Sequence, residues 1–418
     1  MLIQANRPPA EGQRWTEENK ARKTPSQGVS DSFPRLLVDS AAKFSGSKSF
    51  PPGLPARLPY PQGVTAPRPS AAQPSAPAEL ELIERIRLRA VATRTRELRL
   101  GIGDDCAVLR PRPGEEMVVT TDLSLAGRHF RLDWHPPETV GHRTLARGLS
   151  DLAAMGARPV AAFLSLGLPR ELVEKQAGRR RKTWIDRFLD GFLALADATG
   201  TPLAGGDLAE SPVFAADIVL LGAVRRGKAL LRSAARPGDL LYVTGALGGA
   251  AFGLQRLAEW RRASVGSAEV SEIPRSRTAA LGRHLYPQPR LAQGEALVRR
   301  SLATAGLDIS DGLSTDLAHL CQESRVVAEL DAQAIPIASG ATLEQALHGG
   351  EDYELLFTAR ASARVPRAID GVPVTRIGRI LRRDSRRPQM TLLTAQGPEP
   401  LLARGWQHFS QPIHDVRR

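Results

Sequence analysis

The sequence predicts a soluble, two-domain α/β protein. Its 418 residues, 42% hydrophobic and 24% charged, suffice for two cores of ordinary size. Segments of strand character alternate with segments whose apolar residues recur at helical spacing, which is the pattern of mixed α/β layers. Glycine-rich turns carrying aspartates recur between them. No apolar run reaches the length of a membrane span, and no basic patch leads into an apolar secretory core, so a cytoplasmic location is expected. The two cysteines, Cys106 and Cys321, are too few for a disulfide framework and lack zinc-ligand spacing, which suits a reducing compartment.

The formal charge of +13 is spread too thinly to mark a nucleic-acid groove. Residues 1–78 supply +5 of it and the remaining chain +8. Basic runs such as Arg179-Arg180-Arg181-Lys182 are not interleaved with the aromatics that a base-stacking surface requires. Attraction of small anionic molecules is compatible with the excess.

Taken in order, residues 1–78 hold 13 of the 32 prolines and no sustained apolar period, so they are expected to be disordered, or to reflect a start codon upstream of the native one. Order begins at Glu79, where Leu80, Leu82, Ile83, Ile86 and Leu88 suggest an amphipathic helix. Gly101-Ile-Gly-Asp-Asp-Cys106 sets two carboxylates in a turn. Glu116–Asp122 reads as a strand that ends in two hydroxyls and an acid. Thr139–Met155 is helical, with Gly156 and Pro159 beyond its end; Asp151 lies within it, and an Arg147-Asp151 surface pair is its plainest role.

A strand at 161–166, a helix through Ile185, Phe188, Leu189, Phe192, Leu193 and Ala196, a loop Pro202–Asp207 and a strand at 216–224 complete a first domain, 79–235. The turn Arg236-Pro-Gly-Asp239 opens a second, 236–410, followed by a tail, 411–418. There the strand Leu240–Thr244 leads into Gly245-Ala-Leu-Gly-Gly249 and a helix, either a phosphate cradle or a tightly packed turn; the P-loop pattern is absent. Residues 258–280 read as a charged loop. Ala305–Gly312 places Asp308, Ser310 and Asp311 before a helix bearing Leu313, Leu317, Leu320 and Cys321, out of register for an EF-hand. Gly349-Gly-Glu-Asp-Tyr353 precedes the strand Glu354–Thr358, and Gly405–Phe409 ends the order in an aromatic cluster.

Each acidic loop has an ordinary explanation alone. If several converge, each carboxylate pair about 4 Å apart repels by roughly 4 kcal/mol at an effective dielectric of 20, and cations are required. Oxygen ligands without paired His or Cys indicate Mg²⁺, which completes its shell with water and nucleotide phosphates; phosphoryl transfer from ATP follows.

The series Gly101-Ile-Gly-Asp-Asp-Cys-Ala, Thr120-Thr-Asp, Gly127-Arg-His-Phe, Leu149-Ser-Asp-Leu-Ala-Ala-Met-Gly-Ala, Gly205-Gly-Asp, Asp308-Ile-Ser-Asp-Gly, Gly349-Gly-Glu-Asp-Tyr-Glu and Gly405-Trp-Gln-His-Phe closely resembles the thiamine-monophosphate kinases. These belong to the aminoimidazole ribonucleotide synthetase-like (PurM-like) superfamily. The resemblance spans residues 79–410 and leaves out 1–78. It implies a two-domain α/β fold and a homodimer whose N-terminal domains form a barrel-like interface. It also implies Mg²⁺ ligands at Asp105, Thr120, Thr121, Asp122, Asp151, Asp207, Asp308 and Asp311, with Gly206, Asp207, Arg232 and Ser310 on ATP. His129, Glu351 and Trp406 would contact thiamine monophosphate. The implied reaction is ATP-dependent formation of thiamine diphosphate, with no general base and with neither nucleic acid nor membrane as partner. The competing expectations are another ATP-using synthetase of the superfamily and a non-catalytic Mg²⁺-binding scaffold.

Overall fold

A computed structural model describes residues 79–90, 93, 95–174, 182–263, 281–407 and 409. The expectations for 1–78, for 411–418 and for most of the 258–280 loop lie outside these residues. Among the described residues, no helix is long and apolar enough to cross a membrane.

The first half begins with α1 (Glu79–Ala90), which buries Leu82 and Ile86 but leaves Leu80 and Leu88 in solvent, a narrower apolar face than the sequence suggests. Two short antiparallel strands, β1 (Leu98–Leu100) and β2 (Val108–Leu109), flank the Gly101–Cys106 turn. A four-stranded sheet follows, in the order β3 (Glu115–Leu125), β6 (Ala215–Arg225), β4 (Arg158–Leu168), β5 (Leu203–Glu210). Only the β4–β5 pair is parallel. Pro202–Asp207, expected as a loop, enters this sheet as β5. Its Gly206 runs so close to β4 that a Cβ would overlap the Leu164 carbonyl, which is why two glycines sit in a strand.

Two helices pack on this sheet. α2 (Pro137–Ala154) starts with proline in its first turn, and α3 (Trp184–Thr199) starts from a Thr183–Asp186 capping box and ends on the left-handed Gly200. They approach through glycine: a Cβ on Gly141 would overlap the Phe188 carbonyl, and one on Gly191 the Glu138 carbonyl. The core beneath them holds Leu145, Leu149, Phe188, Phe192, Phe214, Ile218 and Leu220, all fully buried. Along β3, Val119 and Leu123 remain 61% and 46% exposed. No closed barrel forms within the described residues.

The second half is built on a larger sheet. Its order is β14 (Gly397–Pro400), β13 (Met390–Thr394), β9 (Val326–Asp331), β12 (Val372–Arg382), β7 (Leu240–Thr244), β10 (Leu355–Ala359), β8 (Ala305–Asp308), with β11 (Ala368–Ile369) paired to β12. On one face α6 (Leu313–Ser324) buries Leu313, Leu317, Leu320 and Cys321 against Leu241, Val243, Leu356 and Ile380. The other face, through Leu355, Phe357 and Ala359, meets Leu297 of α5 (Leu291–Arg299) and Ala153 of α2. The α2 helix therefore lies against both sheets, and its polar residues stand where they meet. Two further helices are α4 (Gly249–Ala263) and α7 (Leu343–His348).

Candidate active site

A cavity of about 590 Å³ opens where α2, β3, the end of β8 and the 349–353 loop converge. Its lining includes Thr121, Asp122, Asp151, Asp308, Ser310 and Asp311 together with His129, Glu351 and Trp406. Four of the six expected carboxylates, Asp122, Asp151, Asp308 and Asp311, thus share one cavity with the expected acceptor contacts.

Asp308 is buried, and the carboxylates near it repel one another. Ser150 donates to Asp308 at 2.6 Å, and Thr120 donates to Asp151. Burial, reinforced by the charge of Asp151, pushes Asp308 up to about 7. Burial also raises Asp151, outweighing the Thr120 hydrogen bond and the nearby arginines. Asp122 is pushed up to about 6 by burial, opposed by Arg147 and aided by Asp151. Arg147 grips Asp122 with two hydrogen bonds, at 2.9 and 2.6 Å. The pairing expected on the helix surface, Arg147 with Asp151, is replaced by this reach from α2 to β3.

Among the described residues, no group of three or more His, Cys, Asp or Glu side chains is placed to hold a metal by itself. The donor set is nevertheless entirely oxygen, and acids that burial disfavours as anions gain most from a divalent cation. That combination fits Mg²⁺, which takes one or two carboxylates and leaves its other positions to water and phosphate oxygens.

Five expected site residues, Asp105, Thr120, Gly206, Asp207 and Arg232, are not among the residues that line the cavity. Asp105 is exposed in the β1–β2 turn, where its amide donates to Asp104 at 2.9 Å. Asp207 is exposed on β5 and accepts from the Leu208 amide at 2.9 Å; Gly206 precedes it. Arg232 stands exposed in a short 3₁₀ turn, but its charge acts on both Asp151 and Asp308.

The acceptor side is organised by a residue that sequence reasoning missed. Arg143, only 4% exposed, donates to Glu351 at 2.6 Å, to the His129 carbonyl at 3.4 Å and to the carbonyl of His284. His284 in turn meets His135 through their Nε2 atoms at 3.0 Å. Burial keeps both rings neutral, pushing His135 down to about 3 and His284 well below the usual range. His129 accepts the Leu125 amide on Nδ1 at 3.0 Å. The signal for Arg143 was present: it precedes Arg147 and Asp151 by four and eight residues, which puts all three on one face of α2.

The glycine turn before α4 is a packed turn. Asp352 fills it, accepting the amides of Gly248 at 2.6 Å and Ala250 at 3.0 Å, so the helix start is occupied by the protein's own acid. Burial pushes Asp352 up to about 7. Glu354, two residues on, is clamped by Arg290 with two bonds of 2.6 Å.

Family comparison agrees with this geometry. Residues 103–224 match the N-terminal domain model of the AIR synthase related proteins, and 236–390 match the C-terminal domain model. The thiamine-monophosphate kinase of Escherichia coli is 36% identical over 353 residues, covering 80% of this chain and 99% of that protein. The kinase of Bacillus subtilis is 30% identical, over 79% of this chain and 99% of its own. Among solved structures, thiamine-monophosphate kinase from Stenotrophomonas maltophilia superposes with a TM-score of 0.62 at 37% identity, covering 75% of this chain and 96% of that one. AaThiL complexed with AMPPCP and TMP superposes with a TM-score of 0.59 at 29% identity, covering 79% and 97%. The shared fold, the ordered motifs and near-complete coverage of these relatives lead to one conclusion: this chain belongs to the thiamine-monophosphate kinase family.

Proposed function

We propose that this protein transfers the γ-phosphoryl group of ATP to thiamine monophosphate, giving thiamine diphosphate and ADP. The observation that carries the reading is the cavity that Asp122, Asp151, Asp308 and Asp311 line together with His129, Glu351 and Trp406. A relative of the same fold, AaThiL, binds an ATP analogue and TMP together.

In this reading Asp122, Asp151, Asp308 and Asp311, with Thr120 and Thr121, hold Mg²⁺, and Ser310 and Arg232 meet the nucleotide. Bound there, Mg²⁺ would neutralise phosphate charge and align the two reactants. Asp105, Asp207 and Gly206 belong to the same assignment, although they stand outside the cavity lining. Glu351 and His129 orient the acceptor, and Trp406 lies against one of its rings.

The acceptor needs no general base. A phosphate monoester has a second pKa near about 6, so its oxygen is already ionised at neutral pH. That oxygen attacks the γ-phosphorus in line while the bond from the γ-phosphorus to the β,γ-bridging oxygen breaks and ADP leaves. Arg147 and Arg232 offset the repulsion between the two anions.

We assign the chain to a homodimer through the outer face of the β3–β6–β4–β5 sheet, where Val119 and Leu123 are exposed, closing a barrel across two copies. The two halves, 79–235 and 236–410, act as domains of one subunit. The free Cys106 and Cys321 support a cytoplasmic setting.

The test is direct. Purified protein with Mg²⁺, ATP and thiamine monophosphate should yield thiamine diphosphate and ADP in equal amounts, and light scattering should report two chains. ATP hydrolysis without thiamine diphosphate would indicate another synthetase chemistry, and metal binding without ATP consumption a scaffold.

A further inference from the structure

Three consecutive main-chain amides, those of Ser310, Asp311 and Gly312, donate to one carboxylate oxygen of Asp316, at 3.1, 3.0 and 3.0 Å. Asp316 is the fourth residue of α6 and is 3% exposed. Amides at a helix start ordinarily lack partners within the helix and invite an anion. Here the helix turns its own acid back on them, and the loop curls round that acid.

The carbonyls of the same loop are also taken. Ile309 accepts from the Tyr353 amide at 2.9 Å, Ser310 from the Glu351 amide at 2.7 Å, and Asp311 from the Trp406 amide at 2.9 Å. Glu351 and Tyr353 are held at φ of 68° and 51°, the left-handed region that side-chain-bearing residues adopt only when their surroundings enforce it. The end of β8 and the four residues after it therefore carry Asp308, Ser310 and Asp311 and also suspend Glu351 and Trp406.

We propose that Asp316 is a positioning residue for the phosphoryl transfer: by fixing the amides of residues 310–312 it places the nucleotide side and the acceptor side of the cavity together. Asp316 does not line the cavity and acts only through this loop. The proposal rests on the kinase reading given above. It gives Asp316 a distinctive kinetic signature, since loss of Trp406 should disturb the acceptor alone, whereas loss of Asp316 should disturb both substrates.

The experiment compares Asp316→Ala and Asp316→Asn with the parent protein. It measures kcat and KM for each substrate, thermal melting, and calorimetric binding of thiamine monophosphate without nucleotide or metal. In Asp316→Ala, kcat/KM should fall about ten- to a hundredfold toward both ATP and thiamine monophosphate, as expected for leaving three main-chain amides without their acceptor. Acceptor binding without nucleotide should weaken in parallel, and Asp316→Asn, which keeps an accepting oxygen, should recover part of each loss.

A variant that melts earlier but keeps both KM values, kcat and acceptor binding would overturn the proposal, as would a defect confined to ATP. Should the alanine variant fail to fold, the asparagine variant decides on the same readings. If the parent protein makes no thiamine diphosphate, the kinase reading fails, and the calorimetric comparison still decides whether Asp316 positions the acceptor pocket.

Discussion

Arg143 donates to Glu351 at 2.6 Å from inside the protein, so the acidic residue of the acceptor wall is fixed from behind. Burial alone would raise the Glu351 pKa. The charge of Arg143 and its hydrogen bond, with the charge of Arg147, reverse this and hold it down to about 2. A carboxylate whose folded pKa lies below its unfolded value of 4.5 adds stability that is present above 4.5 and is lost as pH falls toward 2. In Arg143→Gln the largest charge opposing burial is gone and Arg147 remains, so Glu351 should take its proton at a higher pH than in the parent protein. Acceptor affinity should then decline more steeply as pH drops than it does in the parent protein. Calorimetric titration of thiamine monophosphate across pH checks this; identical profiles would refute it.

Asp308 ends β8 and Asp311 follows on the next loop. Asp308→Asn and Asp311→Asn should each reduce turnover strongly, by about a hundredfold or more, as expected when charge-stabilising groups at a phosphoryl-transfer site are neutralised. Raising the Mg²⁺ concentration should restore part of the loss. Steady-state assays over a metal titration give the answer, and full activity in both variants would contradict the assignment.

Trp406 is 47% exposed at the cavity edge, with its amide on the Asp311 carbonyl. A ring stacked on a cationic heterocycle contributes about 0.5–2 kcal/mol, so Trp406→Ala should raise KM for thiamine monophosphate about two- to thirtyfold and spare that for ATP. An unchanged acceptor KM would remove Trp406 from the site.

The glycine contacts between α2 and α3 leave no room for a methyl group. Gly141→Ala or Gly191→Ala should each cost about 1–3 kcal/mol through overpacking, read as a lower melting temperature. Wild-type melting in either variant would mean that the helices separate more readily than their packing suggests.

The legible parts of the sequence were those with a local cause. β7 was expected at Leu240–Thr244 and is found there, and α2, α3 and α6 follow their apolar spacing. The 126–130 and 349–353 segments were found through their motifs. β9, β12 and β13 went unread because their partners lie far away in sequence: β12 pairs with β7 and β9. Arg143, His284 and Asp316 were missed for a related reason, since each gains its role from a contact that only the tertiary fold creates. Asp316 was masked further by looking like an ordinary acid in the first turn of a helix.

The placement of Arg143 and Asp151 on one face of α2 fixes a length. Eight residues at a rise of about 1.5 Å each set the acceptor anchor and the acidic cluster about 12 Å apart along a rigid axis. A helix does not stretch, so the cavity measures its acceptor. An acceptor longer by one phosphate would have to push its ring portion away from Glu351 to present a terminal oxygen at the same point. The expected outcome is that thiamine diphosphate is released as product and is not itself extended. Chromatography of a prolonged reaction should show no triphosphate accumulating.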